Sequence, residues 1–91
     1  MKKTIYTVFD SVTGIYWHPF FAVNDEEAKR SISNAVNTVA DNDLFLHPED
    51  FTLYSIGIFN DQRDEVILEA STPMNFICRC DSLLRPAEVQ K

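Results

Sequence analysis

The largely hydrophobic residues 5–10 are of types that favour β-strands, in which successive side chains point to opposite faces. One face of this segment carries Ile5, Thr7 and Phe9, and the other carries Tyr6 and Val8. Residues 11–14 predict a turn, because Gly14 is free to adopt a positive φ. Residues 16–23 predict a second strand. Pro19 lacks an N–H, so it places that strand at a sheet edge or marks a bulge there.

A helix is predicted over residues 25–39. Asn24 can accept a hydrogen bond from the amide of Glu27, and Glu27 can reach back, which is the reciprocal arrangement of a capping box. The acidic first turn suits the positive end of the helix dipole. Apolar residues recur at helical spacing and form one stripe: Ala28, Ile32, Ala35, Val36 and Val39. We therefore expect this helix to pack on the sheet.

The second half of the chain predicts a loop and a further antiparallel pair. Residues 40–50 form the loop, in which Leu44, Phe45 and Leu46 are expected to reach the core and Pro48 begins a short helical turn. Residues 51–59 predict a third strand, and Gly57 within it marks a bulge or a close approach by another group.

Residues 60–64 reverse the chain into a fourth strand at 65–69. Residues 73–80 are expected to form a short fifth strand or an ordered loop. The order β-β-α-β-β predicts an α+β fold with a small, mostly antiparallel sheet and one amphipathic helix on one face. We expect a single domain over residues 1–80 and a flexible C-terminal tail over 81–91.

Composition limits the class of protein. With 91 residues the chain has room for one core, and its eleven aromatic rings would leave apolar surface that a homodimer would cover. No apolar run approaches the roughly 18–20 residues that cross a bilayer, so no membrane association is expected. Two cysteines are too few for a disulfide framework, which predicts an intracellular, reduced location.

The net charge of −6 is unevenly distributed. Residues 10–69 hold twelve acidic residues against three basic ones, and such a body repels phosphate backbones. Any nucleic-acid contact is therefore expected at the terminal segments. The candidate DNA-binding residues there are Lys2, Lys3, Arg79, Arg85 and Lys91. The alternative is that the acidic charge serves solubility alone.

The residues predict no catalytic site, metal site or cofactor. Cys78 and Cys80 on one strand face would lie about 7 Å apart in Cα, too far for easy bridging. A zinc site would also need His18 and His47, which share no motif. The segment 41–52 begins like a calcium loop but has Leu46 and Thr52 where glycine and glutamate are required. We therefore do not expect an enzyme.

Aromatic residues on the predicted strands allow two interpretations. Exposed rings can stack on unpaired bases, although stacking surfaces usually include interleaved Lys and Arg. The same rings can instead fill the core or a dimer interface. The set is Tyr6, Tyr16, Trp17, Phe20, Phe21, Tyr54 and Phe59.

An ordered set of segments resembles a known viral family. These are Tyr6-Thr7-Val8-Phe9-Asp10, Gly14-Ile15-Tyr16, Pro19-Phe20-Phe21-Ala22, Asn24-Asp25-Glu26-Glu27-Ala28-Lys29-Arg30, His47-Pro48-Glu49-Asp50-Phe51, Leu53-Tyr54 and Ile56-Gly57-Ile58-Phe59-Asn60-Asp61. Over residues 4–61 the chain resembles the small nonstructural protein of gokushovirus-type microviruses, which are phages with single-stranded DNA genomes. The resemblance implies DNA binding or a role in single-stranded DNA synthesis or packaging, in the cytoplasm of the host cell. It supplies no catalytic residues.

Two functions follow as hypotheses. The first is a phage accessory protein that binds single-stranded DNA through the terminal cations. The second is an acidic interaction module that engages a viral or host replication or packaging protein without touching DNA. Binding by the terminal cations would weaken steeply with salt, whereas the module would bind no oligonucleotide at any salt concentration.

Overall fold

A computed structural model of the protein describes residues 2–38 and 46–84. The elements, in chain order, are β1 (Lys2–Asp10), β2 (Ile15–Tyr16), β3 (Phe20–Ala22), α1 (Asp25–Thr38), a 3₁₀ helix (Pro48–Asp50), β4 (Phe51–Asp61), β5 (Val66–Arg79) and a second 3₁₀ helix (Cys80–Leu83). The predicted α+β fold is confirmed. None of the described helices is long and apolar enough to span a bilayer.

The sheet is antiparallel throughout, with β1 and β4 at its centre. β1 pairs with β4 on one side and with both β2 and β3 on the other, while β5 pairs with the outer side of β4. The predicted second strand over 16–23 is therefore two short strands. Residues 17–19 separate them, since Pro19 cannot donate to a ladder.

The helix begins as its sequence predicts. Asn24 Oδ1 accepts a hydrogen bond from the Glu27 amide at 2.9 Å. Glu27 Oε1 accepts from the amide of Val23 at 2.9 Å, one residue before the cap. Both bonds satisfy amide groups at the entry of the helix, which would otherwise lack partners.

The core lies between α1 and one face of the sheet. Its helix side is Ala28, Ile32 and Val36, and its sheet side includes Tyr6, Val8, Ala22, Phe51 and Leu53, all buried. The predicted apolar stripe thus packs on the sheet. Val39, Leu44 and Phe45 lie outside the described residues, and Leu46 is 55% exposed, so its predicted place in the core is wrong.

The second 3₁₀ helix, which follows β5 directly, packs against α1. Cys80 is fully buried in the core. The side chains of Ser33 and Asn37 on α1 donate hydrogen bonds to the carbonyl of Leu83, at 3.4 Å and 3.0 Å. The first residues of the predicted tail, 81–84, therefore contact the helix, while Arg85 to Lys91 lie outside the described residues.

Gly57 sits where two strands come unusually close. The pairing of β4 with both neighbours shifts register around Ile56, so the predicted bulge is confirmed. A Cβ at position 57 would lie 2.5 Å from the backbone oxygen of Glu69 on β5. Only glycine fits this approach without moving the backbone.

Replacing Gly57 by alanine is expected to destabilise the fold by about 1–3 kcal/mol, because the β5 backbone must move away. Urea unfolding followed by circular dichroism measures this. Gly14→Asn is the control: Gly14 has φ +74° with no atom within 4 Å of an added Cβ, and asparagine tolerates that conformation. Equal midpoints for wild type and Gly57→Ala would contradict the close approach.

A second prediction concerns Tyr6, which links β1 to the start of α1. Its hydroxyl donates to the Asp25 carboxylate at 2.7 Å, and burial together with this bond raises the pKa of Tyr6 from 10.0 to about 12. Because the folded-state pKa is the higher one, the stabilisation is complete below pH 10 and is lost as pH rises toward 12.

Tyr6→Phe is therefore expected to cost about 1 kcal/mol at pH 7. The difference in the free energy of unfolding between Tyr6→Phe and the wild type should narrow above pH 10. The wild type loses the stabilisation from Tyr6 there, whereas phenylalanine has no proton to lose. Urea unfolding from pH 7 to 11.5 tests this, with Tyr16→Phe, an exposed tyrosine, as the control. A Tyr6→Phe difference that is constant with pH would show that the buried hydroxyl does not contribute as described.

Candidate nucleic-acid interface

The candidate site is the face of the sheet opposite α1, which we call the open face. Tyr6 and Val8 of β1 point to the helix, so the alternation turns Lys3, Ile5, Thr7 and Phe9 to the other side. Cross-strand partners share a face, which adds Phe21, Tyr54, Phe59, Leu68 and Phe76. Within residues 2–38 and 46–84, no helix lies against this face.

Aromatic rings are paired across the strands of the open face. Phe9 and Tyr16 have ring centroids 4.7 Å apart, Tyr54 and Phe76 6.3 Å, and Phe21 and Phe59 5.4 Å. Phe9–Tyr16 and Tyr54–Phe76 join neighbouring strands, whereas Phe21 on β3 and Phe59 on β4 meet across β1, which lies between them. The positions of all six rings are therefore set by strands rather than by loops. The result is a wide aromatic surface on a rigid support.

Several large apolar side chains of the open face are exposed, although Thr7 near its middle is buried. Phe76 is 60% exposed, Phe21 50%, Tyr16 48% and Leu68 67%. Exposed apolar side chains grouped on one face in this way usually mark a binding surface. The face therefore has the character of an interface and not of an ordinary solvated sheet.

Little of the protein's acidic charge lies on the open face. By strand alternation its charged residues, within the described strands, are Lys3, Asp61 and Arg79. Asp25, Glu26 and Glu27 form the first turn of α1 on the opposite side of the sheet, and other acids occupy the ends of the strands. Net charge alone is thus a poor guide to this surface.

The predicted DNA-binding cations do not form one patch. Lys3 pairs with Phe59 on β4, whereas Arg79 pairs with Thr52, seven residues away along the same strand. This spacing corresponds to about 24 Å. Lys2 lies beside Lys3 but alternates to the other face, and Arg85 and Lys91 lie outside the described residues.

Arg79 is also engaged within the protein. Its guanidinium contacts the Asp81 carboxylate at 3.1 Å and donates to the carbonyl of Glu49 at 3.3 Å. Lys3, by contrast, is exposed beside the ring of Phe59. A nucleic-acid role for the five terminal cations stays a prediction. Among the three that the structure describes, Lys3 lies in one cleft with the rings of Phe21 and Phe59.

The predicted strand aromatics divide between the two faces. Tyr6 and Phe20 stack in the core at 5.6 Å, and Trp17 packs edge-on against Phe51 at 5.2 Å. The other predicted rings, Tyr16, Phe21, Tyr54 and Phe59, lie on the open face. Phe9 and Phe76 were missed. The sequence did allow Phe9 to be placed, because it follows Val8 in the strand and therefore points to the opposite face.

The cysteines and the polar clusters suggest no chemistry at this face. Cys78 and Cys80 are free thiols, and burial raises the pKa of Cys80 to about 12, which makes it a poor nucleophile. At the start of β4, ligand atoms of His47, Glu49 and Asp50 lie within 4.8 Å of one another, but these side chains are mostly exposed. Exposed acidic groups of this kind are common without an ion.

Comparison with known proteins gives the family. Residues 3–83 match the phage ORF5 protein family, and this match covers most of the chain. The chain belongs to that family. No curated protein and no solved structure matches it. The sequence-based identification as a phage protein is therefore confirmed at the level of the ORF5 family.

Because side chains such as Phe76 on the open face are exposed, we expect substitutions there to destabilise this ORF5 family member less than substitutions in its core. Phe76→Ala removes an exposed ring and should cost less than about 1.5 kcal/mol, the worth of its contact with Tyr54. Leu53→Ala removes a fully buried side chain and should cost about 2–5 kcal/mol. Thermal and urea unfolding compare the two. Equal losses would mean that the open face is packed in solution.

Proposed function

We propose that the protein is a nonstructural phage accessory factor that binds single-stranded DNA along the open face. Its role would lie in the synthesis or packaging of a single-stranded DNA genome. The observation that carries this proposal is the set of ring pairs on the open face, Phe9–Tyr16, Tyr54–Phe76 and Phe21–Phe59. Family membership supports a phage protein, and the resemblance to gokushovirus nonstructural proteins suggests the link to single-stranded DNA.

Stacking supplies the binding energy in this proposal. Every base has a π face, so stacking on an exposed ring tolerates any sequence and contributes about 1–3 kcal/mol per base. Tyr16, Phe21 and Phe76 are each about half exposed and therefore available to bases. Duplex DNA hides its base faces, so the surface favours unpaired strands.

The net negative charge of the protein is compatible with DNA binding on the open face. Bases that stack on the rings leave the phosphates to point toward solvent, away from the acidic first turn of α1 on the far side of the sheet. Lys3 stands at one end of the ring surface and Arg79 at the other. Because few cations are involved, the affinity should depend only weakly on salt.

A protein-interaction module is the second candidate. The specific observation in its favour is the aliphatic part of the open face, where Val66 is 56% and Leu68 67% exposed. Such side chains stack poorly on bases but pack well against another protein. The partner would be a viral or host replication or packaging protein, or a second copy of this chain.

Fluorescence anisotropy with a labelled single-stranded oligonucleotide of about 12 nucleotides tests the proposal. Phe21→Ala and Phe76→Ala should each weaken binding by about 5- to 150-fold. Val12→Ala is the control, since Val12 is 71% exposed in the β1–β2 turn and lies off the open face. Absence of binding at any salt concentration would reject the proposal and favour the interaction module.

The same titration across salt separates two modes of DNA binding. If the five terminal cations carried the affinity, the slope of log K against log salt would approach about −3.5, and neutralising all five would abolish binding. Binding by the ring surface predicts a slope shallower than about −1.5, because only Lys3 and Arg79 flank it.

A further inference from the structure

One end of the open face forms a cleft that combines rings with both signs of charge. The cleft encloses about 270 Å³ and is lined by Lys3, Phe21, Phe59 and Asp61. Strand geometry explains why these side chains meet. Lys3 lies opposite Phe59, Asp61 follows Phe59 by two residues on the same face, and Phe21 contacts Phe59 ring to ring at 5.4 Å.

Asp61 is the unexpected member of this cleft. A carboxylate on a surface that binds polyanions costs affinity unless it accepts a hydrogen bond from the ligand. Among the bases, cytosine, adenine and guanine carry exocyclic amino groups that donate to carboxylates, whereas thymine has only an imino N–H. A carboxylate has about four lone-pair positions and can accept from a base in addition to contacts within the protein.

Lys3 complements this arrangement. An ammonium group donates only, so it matches the ring nitrogen and carbonyl acceptors of cytosine or an adjacent phosphate oxygen. Phe21 is 50% exposed and offers a face on which a single base can lie. One stacked base would thus have an acceptor and a donor available at its polar edge.

We propose that this cleft binds one unpaired base of a single-stranded DNA and selects bases that carry an exocyclic amino group over thymine. The inference rests on the proposed function, because it assumes that DNA lies on the open face. It adds a point of base selectivity, at Asp61, to a surface that otherwise stacks any sequence.

The test compares oligo(dC) with oligo(dT) of equal length by fluorescence anisotropy on the full chain. Both are pyrimidine strands, so differences in stacking area are small. The wild type should bind oligo(dC) about fivefold more tightly, the lower end of the discrimination that a base-edge contact provides. Asp61→Asn should bring the two affinities to within about twofold, since the neutral amide can both accept and donate.

Asp64→Asn is the matched control. Asp64 lies in the turn between β4 and β5, is exposed, and carries the same charge outside the cleft. It should raise both affinities equally through reduced repulsion and keep their ratio. A wild-type ratio near one, or a ratio that Asp61→Asn leaves unchanged, would overturn the base selectivity. Failure of both oligonucleotides to bind would instead overturn the proposed function.

Discussion

The packing of one helix against one face of the sheet determines the rest of this structure. The stripe of Ala28, Ile32 and Val36 meets Val8 and Leu53 at the centre of the sheet and buries these two side chains. A helix of 14 residues is about 21 Å long, whereas the 11 residues of β4 extend about 37 Å. At this length α1 covers one face of the sheet in part, and in the described part of the chain the other face stays open.

The open face follows from this geometry, but its composition does not. A sheet with one solvated face usually alternates apolar and polar residues. Here Phe9, Phe21 and Phe76 occupy positions where threonine or lysine would suffice for folding. The exposed rings add little to the core, since the buried pairs Tyr6–Phe20 and Trp17–Phe51 already fill the helix side. Their presence is better explained by binding than by stability.

The sequence predicted the features that depend on local chemistry. The cap at Asn24, the turn at Gly14 and the bulge at Gly57 each follow from what one residue type permits, and each is present. The length of β5 was not predicted, because Pro73 and its polar neighbours are typical of the end of a strand. In the structure β4 and β5 change register between Ser55 and Gly57, so the residues around Pro73 need no ladder partner.

The candidate site was harder to predict for a related reason. Both faces of β1 are hydrophobic, so alternation separates Tyr6 and Val8 from Ile5 and Phe9 without telling which set the helix covers. That choice depends on contacts far apart in sequence, above all on Leu53 and the α1 stripe. The distribution of charge over the surface depends on the same long-range contacts. Acids at the start of α1 and in turns count toward the net charge, yet the fold directs them away from the surface where the rings lie.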